Sequence, residues 1–208
     1  MHAEHIAGCE EGFAARRDLP AQAHVDGITA KLIEYFGQNP AASAADVVIV
    51  ACFSDPGVHA LREVLKQPVL GIAECSYLTA AALAERIGVI AILGRSIPRH
   101  RRQQRLLGLE HRIAGELPLE LGVAELANED SAWARISTVG RRLRDEHGAQ
   151  TVILGCAGMA RYRDRLEDLL GIPAIDPTQS AVGMAMGLLL ARQTPRAARA
   201  PVREVVTK

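Results

Sequence analysis

One strand–cysteine–turn–helix–strand unit occurs twice in the chain, and this repeat limits the fold more than any other feature. The first copy is AADVVIVACFSDPGVHALREVLKQPVLGI, Ala44 to Ile72. The second is GAQTVILGCAGMARYRDRLEDLLGIPAIDP, Gly148 to Pro177. Seven positions separate Ala45 from Cys52, and seven separate Ala149 from Cys156. The proline that leads the closing strand follows 16 positions after Cys52 (Pro68) and 17 after Cys156 (Pro173). Each copy opens on an apolar, β-branched run without polar alternation, the pattern of a parallel strand buried on both faces. Each sets a cysteine where that strand ends.

The same alternation runs through the rest of the chain. Val58–Lys66 has helical spacing, with Val58, Leu61 and Leu65 on one face, and Pro68–Ile72 is a short strand. Ser76 is placed to cap a helix reaching about Glu85, and Ile87–Leu93 is a third apolar strand. Ile97–Leu107 reads as a helix with a basic face carrying Arg99, Arg101, Arg102 and Arg105. A helix over Ser131–His147, a strand over Thr151–Gly155 and a helix over Arg161–Leu170 follow. Gly171–Ile175 is a strand and Thr178–Arg192 the last helix. Strands separated by helices specify an α/β fold with parallel sheets flanked by helices. With the repeat, this predicts two pseudo-symmetric lobes and an active site in the cleft between them. The first lobe is expected over residues 1–86, completed by 176–192, and the second over 87–175. Residues 193–208, rich in Pro, Ala and Arg, form an expected loose tail.

Composition removes several function classes. Lys+Arg and Asp+Glu are both 24, so no net field attracts nucleic acid or an anionic membrane. Aromatic residues make up only 3 %, which argues against base-stacking platforms. The longest apolar segment, Ala181–Ala191, is too short to span a membrane. Met1–Glu11 carries acidic residues where a secretion signal needs basic ones, so a cytoplasmic protein is expected. Four cysteines without a C-x-x-C pair are too few for a disulfide framework and give no zinc motif. His2 and His5 lack the spacing of a helical metal pair, and no metal is expected.

The repeated cysteine carries the chemistry. Ligands of open α/β sheets bind outside the carboxyl ends of the strands. Two lobes facing each other bring Cys52 and Cys156 to opposite sides of one pocket. A thiol on a loop entering a helix is expected to ionise readily, helped by unpaired N–H groups and the helix dipole. Two such thiols form a two-base system: one removes a proton from a stereogenic carbon, and the other returns a proton to the opposite face. Backbone N–H groups near Phe53, Ser54 and Asp55, and near Ala157, Gly158 and Met159, are placed to stabilise the enolate oxygen. A carbon already acidified by a carbonyl needs no cofactor for this.

ACFSDPG (Ala51–Gly57), LGCAGM (Leu154–Met159) and PAIDP (Pro173–Pro177) together resemble the Asp/Glu/hydantoin racemase superfamily, and within it the hydantoin and allantoin racemase branch. The resemblance extends from about Cys9 to Arg192. It implies two pseudo-symmetric α/β lobes, a cofactor-independent racemase, and Cys52 and Cys156 as its two acid–base residues. Amino-acid racemases of the superfamily typically carry Cys-Asn-Thr at the first cysteine and Cys-Thr at the second. Here the neighbours are Phe53-Ser54-Asp55 and Ala157-Gly158-Met159, which implies a less charged substrate such as a 5-substituted hydantoin or allantoin. Ser96 supplies a hydroxyl where the branch often carries a threonine pair near Gly94-Arg95. The implied partner is a small-molecule substrate, with a homo-oligomer expected.

Ile92 precedes Cys156 by 64 positions, while 51 residues precede Cys52. The first-lobe equivalent of the Ile87–Leu93 strand would therefore fall before Met1, and the first sheet is expected to be one strand short. Cys75 reads as a packing residue, His59 as a solvated helix residue, and Asp55 and Asp176 as loop braces. The arginine-rich helix reads as a solvated face. Two functional alternatives remain. One is a related enzyme: an arylmalonate decarboxylase-like lyase, a maleate isomerase-like isomerase or an Asp/Glu racemase. The other is a non-catalytic small-molecule-binding protein. Retention of both cysteines favours racemisation over decarboxylation.

Overall fold

The computed structural model describes residues 21–40 and 44–193. The expectations for the N-terminal segment, the missing strand included, and for the tail beyond Gln193 lie outside these residues. Among the described residues strands and helices alternate: α1 (Ala21–Gln38), β1 (Val48–Val50), α2 (Val58–Val64), β2 (Val69–Gly71), α3 (Ile72–Leu83), β3 (Ile87–Ala91), α4 (Ile97–Leu106), β4 (Ile113–Pro118), α5 (Glu129–Asp145), β5 (Thr151–Gly155), α6 (Arg163–Leu170), β6 (Ala174–Ile175) and α7 (Pro177–Gln193). Among the described residues no helix is long and apolar enough to cross a membrane.

Both sheets are parallel. β1 pairs with β2, and a four-stranded sheet runs in the order β4-β3-β5-β6. The period-two geometry of a strand explains the layers. Val48 and Val50 point into a cluster with Leu32 and Phe36 of α1 and Val58 and Leu61 of α2. Val47 and Ile49 point the other way, with Ile72, Cys75, Ala181 and Ala185 of α3 and α7. In the larger sheet Ile87, Val89 and Ile153 meet Phe53, Ala73 and Tyr77 on the α3 side. Ile90, Val152 and Leu154 meet Ile136, Leu143, Leu166 and Leu170 of α5 and α6 on the opposite face. A fully buried aliphatic side chain contributes about 1.5–3 kcal/mol, so these uninterrupted runs fix the strands at the centre.

Three elements depart from the sequence expectations. α3 starts at Ile72, directly after β2, rather than at a Ser76 cap. Ser76 is buried inside the helix and its Oγ donates to the Ala73 carbonyl at 2.7 Å. β4 was not anticipated; its IAGELP sequence contains Gly, Glu and Pro, and every residue is half-buried, as an edge position permits. α1 was likewise unassigned from sequence; Leu32 and Phe36, one turn apart, supply its buried stripe.

The larger sheet contains a switch point. α4, which follows β3, packs on one face, and α6, which follows β5, packs on the other. Chains leaving adjacent strands in opposite directions open a crevice at their carboxyl ends. Gly94–Ser96, a 3-10 turn, ends β3 at that crevice, and Cys156 ends β5 beside it.

Candidate active site

Cys156 prolongs β5 in extended conformation (φ −164°, ψ 138°) and opens a 3-10 turn, Ala157–Tyr162. Its approach to β3 is close: a Cβ on Gly155 would lie 2.5 Å from the Ile90 carbonyl oxygen, so glycine alone fits there. The turn is held by packing. Met159 and Tyr162 are buried in the α5–α6 core, the Met159 N–H donates to the Cys156 carbonyl at 3.1 Å, and the Tyr162 hydroxyl donates to Leu126 O at 3.0 Å.

The Cys52 loop is held by polar bonds. The Asp55 N–H donates to the Cys52 carbonyl at 2.9 Å, and Asp55 itself takes φ 45°, a left-handed conformation that aspartate tolerates better than most residues. Its carboxylate then accepts three hydrogen bonds: from the Ala73 N–H at 2.9 Å, the Glu74 N–H at 2.8 Å and Gln103 Nε2 at 2.6 Å. The two backbone donors belong to the first turn of α3, where helical N–H groups have no internal partner. Asp55 therefore caps α3 in place of Ser76, and one carboxylate joins the Cys52 loop, α3 and α4. A Cβ on Gly71 would fall inside the Asp55 carboxyl group, so the brace also requires glycine at the end of β2. Burial pushes the Asp55 carboxyl up to about 6, more than these three bonds pull it down.

Burial also dominates at Cys52, pushing its thiol up to about 11. The Ser54 backbone N–H favours the thiolate, the Cys156 and Asp55 charges oppose it, and Arg99 favours it. The expectation of a readily ionised Cys52 is thus reversed. α2 is a seven-residue helix that starts only at Val58, six residues after the cysteine, and burial outweighs whatever its N-terminus offers the sulfur. Cys156 acts on Cys52 as a like-charged neighbour, and both thiols are half-buried. The charge on one thiol is therefore felt by the other.

The other site residues anticipated from sequence divide into two groups. Ser54, Ser96 and Ala157 are half-buried and Gly158 is exposed; a Cβ on Gly158 would lie 3.6 Å from Cys156 Sγ. The side chains of Phe53, Asp55 and Met159 are engaged within the protein, and Asp55 is the loop brace expected of it. The Phe53 ring is buried against Tyr77 and His100, with centroids at 5.8 and 5.1 Å. Met159 belongs to the core, and the Asp55 carboxylate is committed to the α3 cap. The N–H groups of Asp55 and Met159 close their own turns and that of Ser54 serves the Cys52 sulfur, which leaves Phe53, Ala157 and Gly158 as the candidate backbone donors to a substrate oxygen.

Sequence reasoning missed what lies behind Phe53. His100 Nδ1 meets Glu116 Oε1 at 2.5 Å, and both side chains are buried. Gln104 Nε2 reaches Glu116 Oε2 at 3.1 Å and the Tyr77 hydroxyl at 3.0 Å. The spacing of His100 and Gln104, one helical turn apart, was the available signal that α4 has a second, inward face. His59 is exposed, and Cys75 is buried with its Sγ 3.6 Å from Met184 Sδ. Among the described residues no three His, Cys, Asp or Glu side chains are grouped as a metal site.

Comparisons with known proteins agree with this architecture. A family model described as Asp/Glu/Hydantoin racemase matches residues 3–185. The chain belongs to the Asp/Glu/hydantoin racemase family. A hydantoin racemase of Rhizobium meliloti is 36 % identical over 149 residues, 71 % of this chain and 62 % of that protein. A hydantoin racemase of Pseudomonas sp. (strain NS671) is 36 % identical over 141 residues, 67 % of this chain and 57 % of its own length. The chain thus spans about three-fifths of these two members of the family. The solved structure of an allantoin racemase from Klebsiella pneumoniae superposes with a TM-score of 0.72 at 27 % identity, covering 81 % of this chain and 67 % of that one.

Proposed function

We propose that the chain is a racemase acting at an acidic carbon next to a carbonyl, of 5-substituted hydantoins or allantoin, through proton exchange between Cys52 and Cys156. The observation that carries this reading is the convergence of two half-buried thiols, each at the carboxyl end of a repeated parallel strand and each within electrostatic reach of the other. The names of the similar proteins support the choice of substrate class.

In this scheme one cysteine acts as thiolate and takes the proton from carbon, while the C–H electron pair moves into the carbonyl to give an enolate. Backbone N–H groups of Phe53, Ala157 and Gly158 are the candidate donors to the enolate oxygen. The other cysteine, as thiol, gives its proton to the opposite face of the carbon. The enantiomer formed leaves with the two thiols in exchanged protonation states, and the reverse turnover restores them. Ser54 and Ser96 are the hydroxyls available to substrate heteroatoms. The neutral side chains at Ser54, Ala157 and Gly158 suit an uncharged ring better than an amino acid.

Optical rotation tests the reading. The chain is incubated with single enantiomers of several 5-substituted hydantoins, allantoin, aspartate and glutamate. Loss of rotation without change in mass is expected for a hydantoin or for allantoin. Loss of rotation for aspartate or glutamate alone would assign an amino-acid racemase, and release of CO2 from an arylmalonate would assign a lyase instead.

A further inference from the structure

The arginines of α4 do not share one environment. Arg101, Arg102 and Arg105 are exposed, as expected of a solvated face, but Arg99 is half-buried with its Nε shielded from water. Arg99 lies one helical turn before Gln103, so both project from the same side of α4. Gln103 reaches Asp55 Oδ2 at 2.6 Å, and the neighbouring His100 ring stands edge-on to Phe53 at 5.1 Å. This side of α4 therefore packs on the loop that carries Cys52, and it is Arg99 whose positive charge acts on the Cys52 sulfur.

We propose that Arg99 is the counter-charge of Cys52: α4 holds its guanidinium beside the thiol, so that a thiolate forms in a site whose burial disfavours it. The catalytic meaning of this assignment rests on the two-thiol reading above, because Cys52 must be ionised before it can accept a proton from carbon. Its proton passes to water on ionisation, and the thiolate then takes the carbon-bound proton. The charges around the pair are defined. Asp55 in the same loop and Cys156 in the facing loop oppose ionisation of Cys52, while Arg95 and Arg102 press on Arg99 with like charge. Glu74 of α3 acts on Asp55, and the His100–Glu116 pair lies behind Phe53. Guanidinium suits the position because it stays protonated when partly desolvated, where an ammonium loses its proton more readily.

The test is the pH dependence of iodoacetamide alkylation at Cys52, followed by peptide mass spectrometry on the full chain, with buried Cys75 as the control that stays unmodified while the chain is folded. Arg99→Gln is expected to slow alkylation of Cys52 about tenfold at a fixed pH below its ionisation and to move the profile upward in pH. Arg99→Lys is expected to recover only part of that loss, because a partly desolvated ammonium gives up its proton more readily than a guanidinium. If Arg99→Gln does not fold by circular dichroism, Arg99→Met keeps the buried stem without the charge and replaces it. Unchanged Cys52 alkylation in a folded, uncharged variant overturns the assignment. The two readings fail separately: a wild-type chain that racemises nothing removes the enzymatic scheme, whereas the alkylation result alone decides Arg99.

Discussion

The loop after β1 is tethered by polar bonds, whereas the loop after β5 is packed in hydrocarbon. Asp55, in a left-handed conformation, spends its carboxylate on two α3 N–H groups and on Gln103 of α4. Met159 and Tyr162 do the equivalent work after Cys156 by burial beneath α5 and α6. The two loops begin alike, with a cysteine at the end of a buried parallel strand, so the difference lies in what surrounds each sulfur. A thiol set among a carboxylate, a second thiol and a guanidinium has an ionisation that several groups can tune. A turn anchored by apolar packing offers a position that is insensitive to charge. Opposite faces of one carbon can in this way be served by two similar side chains with unlike supports.

The largest expected effect tests whether both loops are needed. Cys52→Ala and Cys156→Ala should each lower racemisation by about 10²–10⁴-fold in a polarimetric assay. Each should still exchange the α-proton of one enantiomer with deuterium, seen by NMR, because the remaining thiol serves its own face. Full racemisation by either variant would end the comparison.

Next comes the packed side. Met159→Ala removes a fully buried side chain and should lower unfolding free energy by about 2–5 kcal/mol in urea titration. A cost below about 1 kcal/mol would mean that the Cys156 turn is not held by its core contacts.

The tethered side should show a pH signature instead. Asp55 binds its proton more tightly in the folded chain, at about 6, than at its ordinary value of 3.8. Its contribution to stability is therefore fully present below about pH 4 and is lost as pH rises through about 6, by about 3 kcal/mol in all. Asp55→Asn, which does not titrate, should flatten the stability profile across that window, as read by urea unfolding at several pH values. An unaltered slope would remove Asp55 as its source. The smallest effect is expected at His59: it is exposed on α2, and His59→Ala should change neither stability by more than about 0.5 kcal/mol nor the Cys52 alkylation profile.

What the sequence by itself determined is local and periodic. The apolar runs Val48–Val50, Ile87–Ala91 and Thr151–Gly155 are strands because each has no polar face to leave in water, and the repeat placed Cys52 and Cys156 at equivalent strand ends. Signals of that kind need only neighbours within a few residues. β4 escaped because IAGELP carries a mixed, half-buried pattern that becomes a strand only when β3 offers it a partner. The start of α3 escaped because its capping group, Asp55, is 18 residues away from the first N–H it accepts. The ionisation of Cys52 was read with the wrong sign for the same reason. The dipole argument uses only the chain that follows the cysteine, while burial by packing and the opposing charge of Cys156 come from elements that meet it only after folding. Desolvation and charge depend on distance in space, so the tertiary structure alone decided how these two thiols differ.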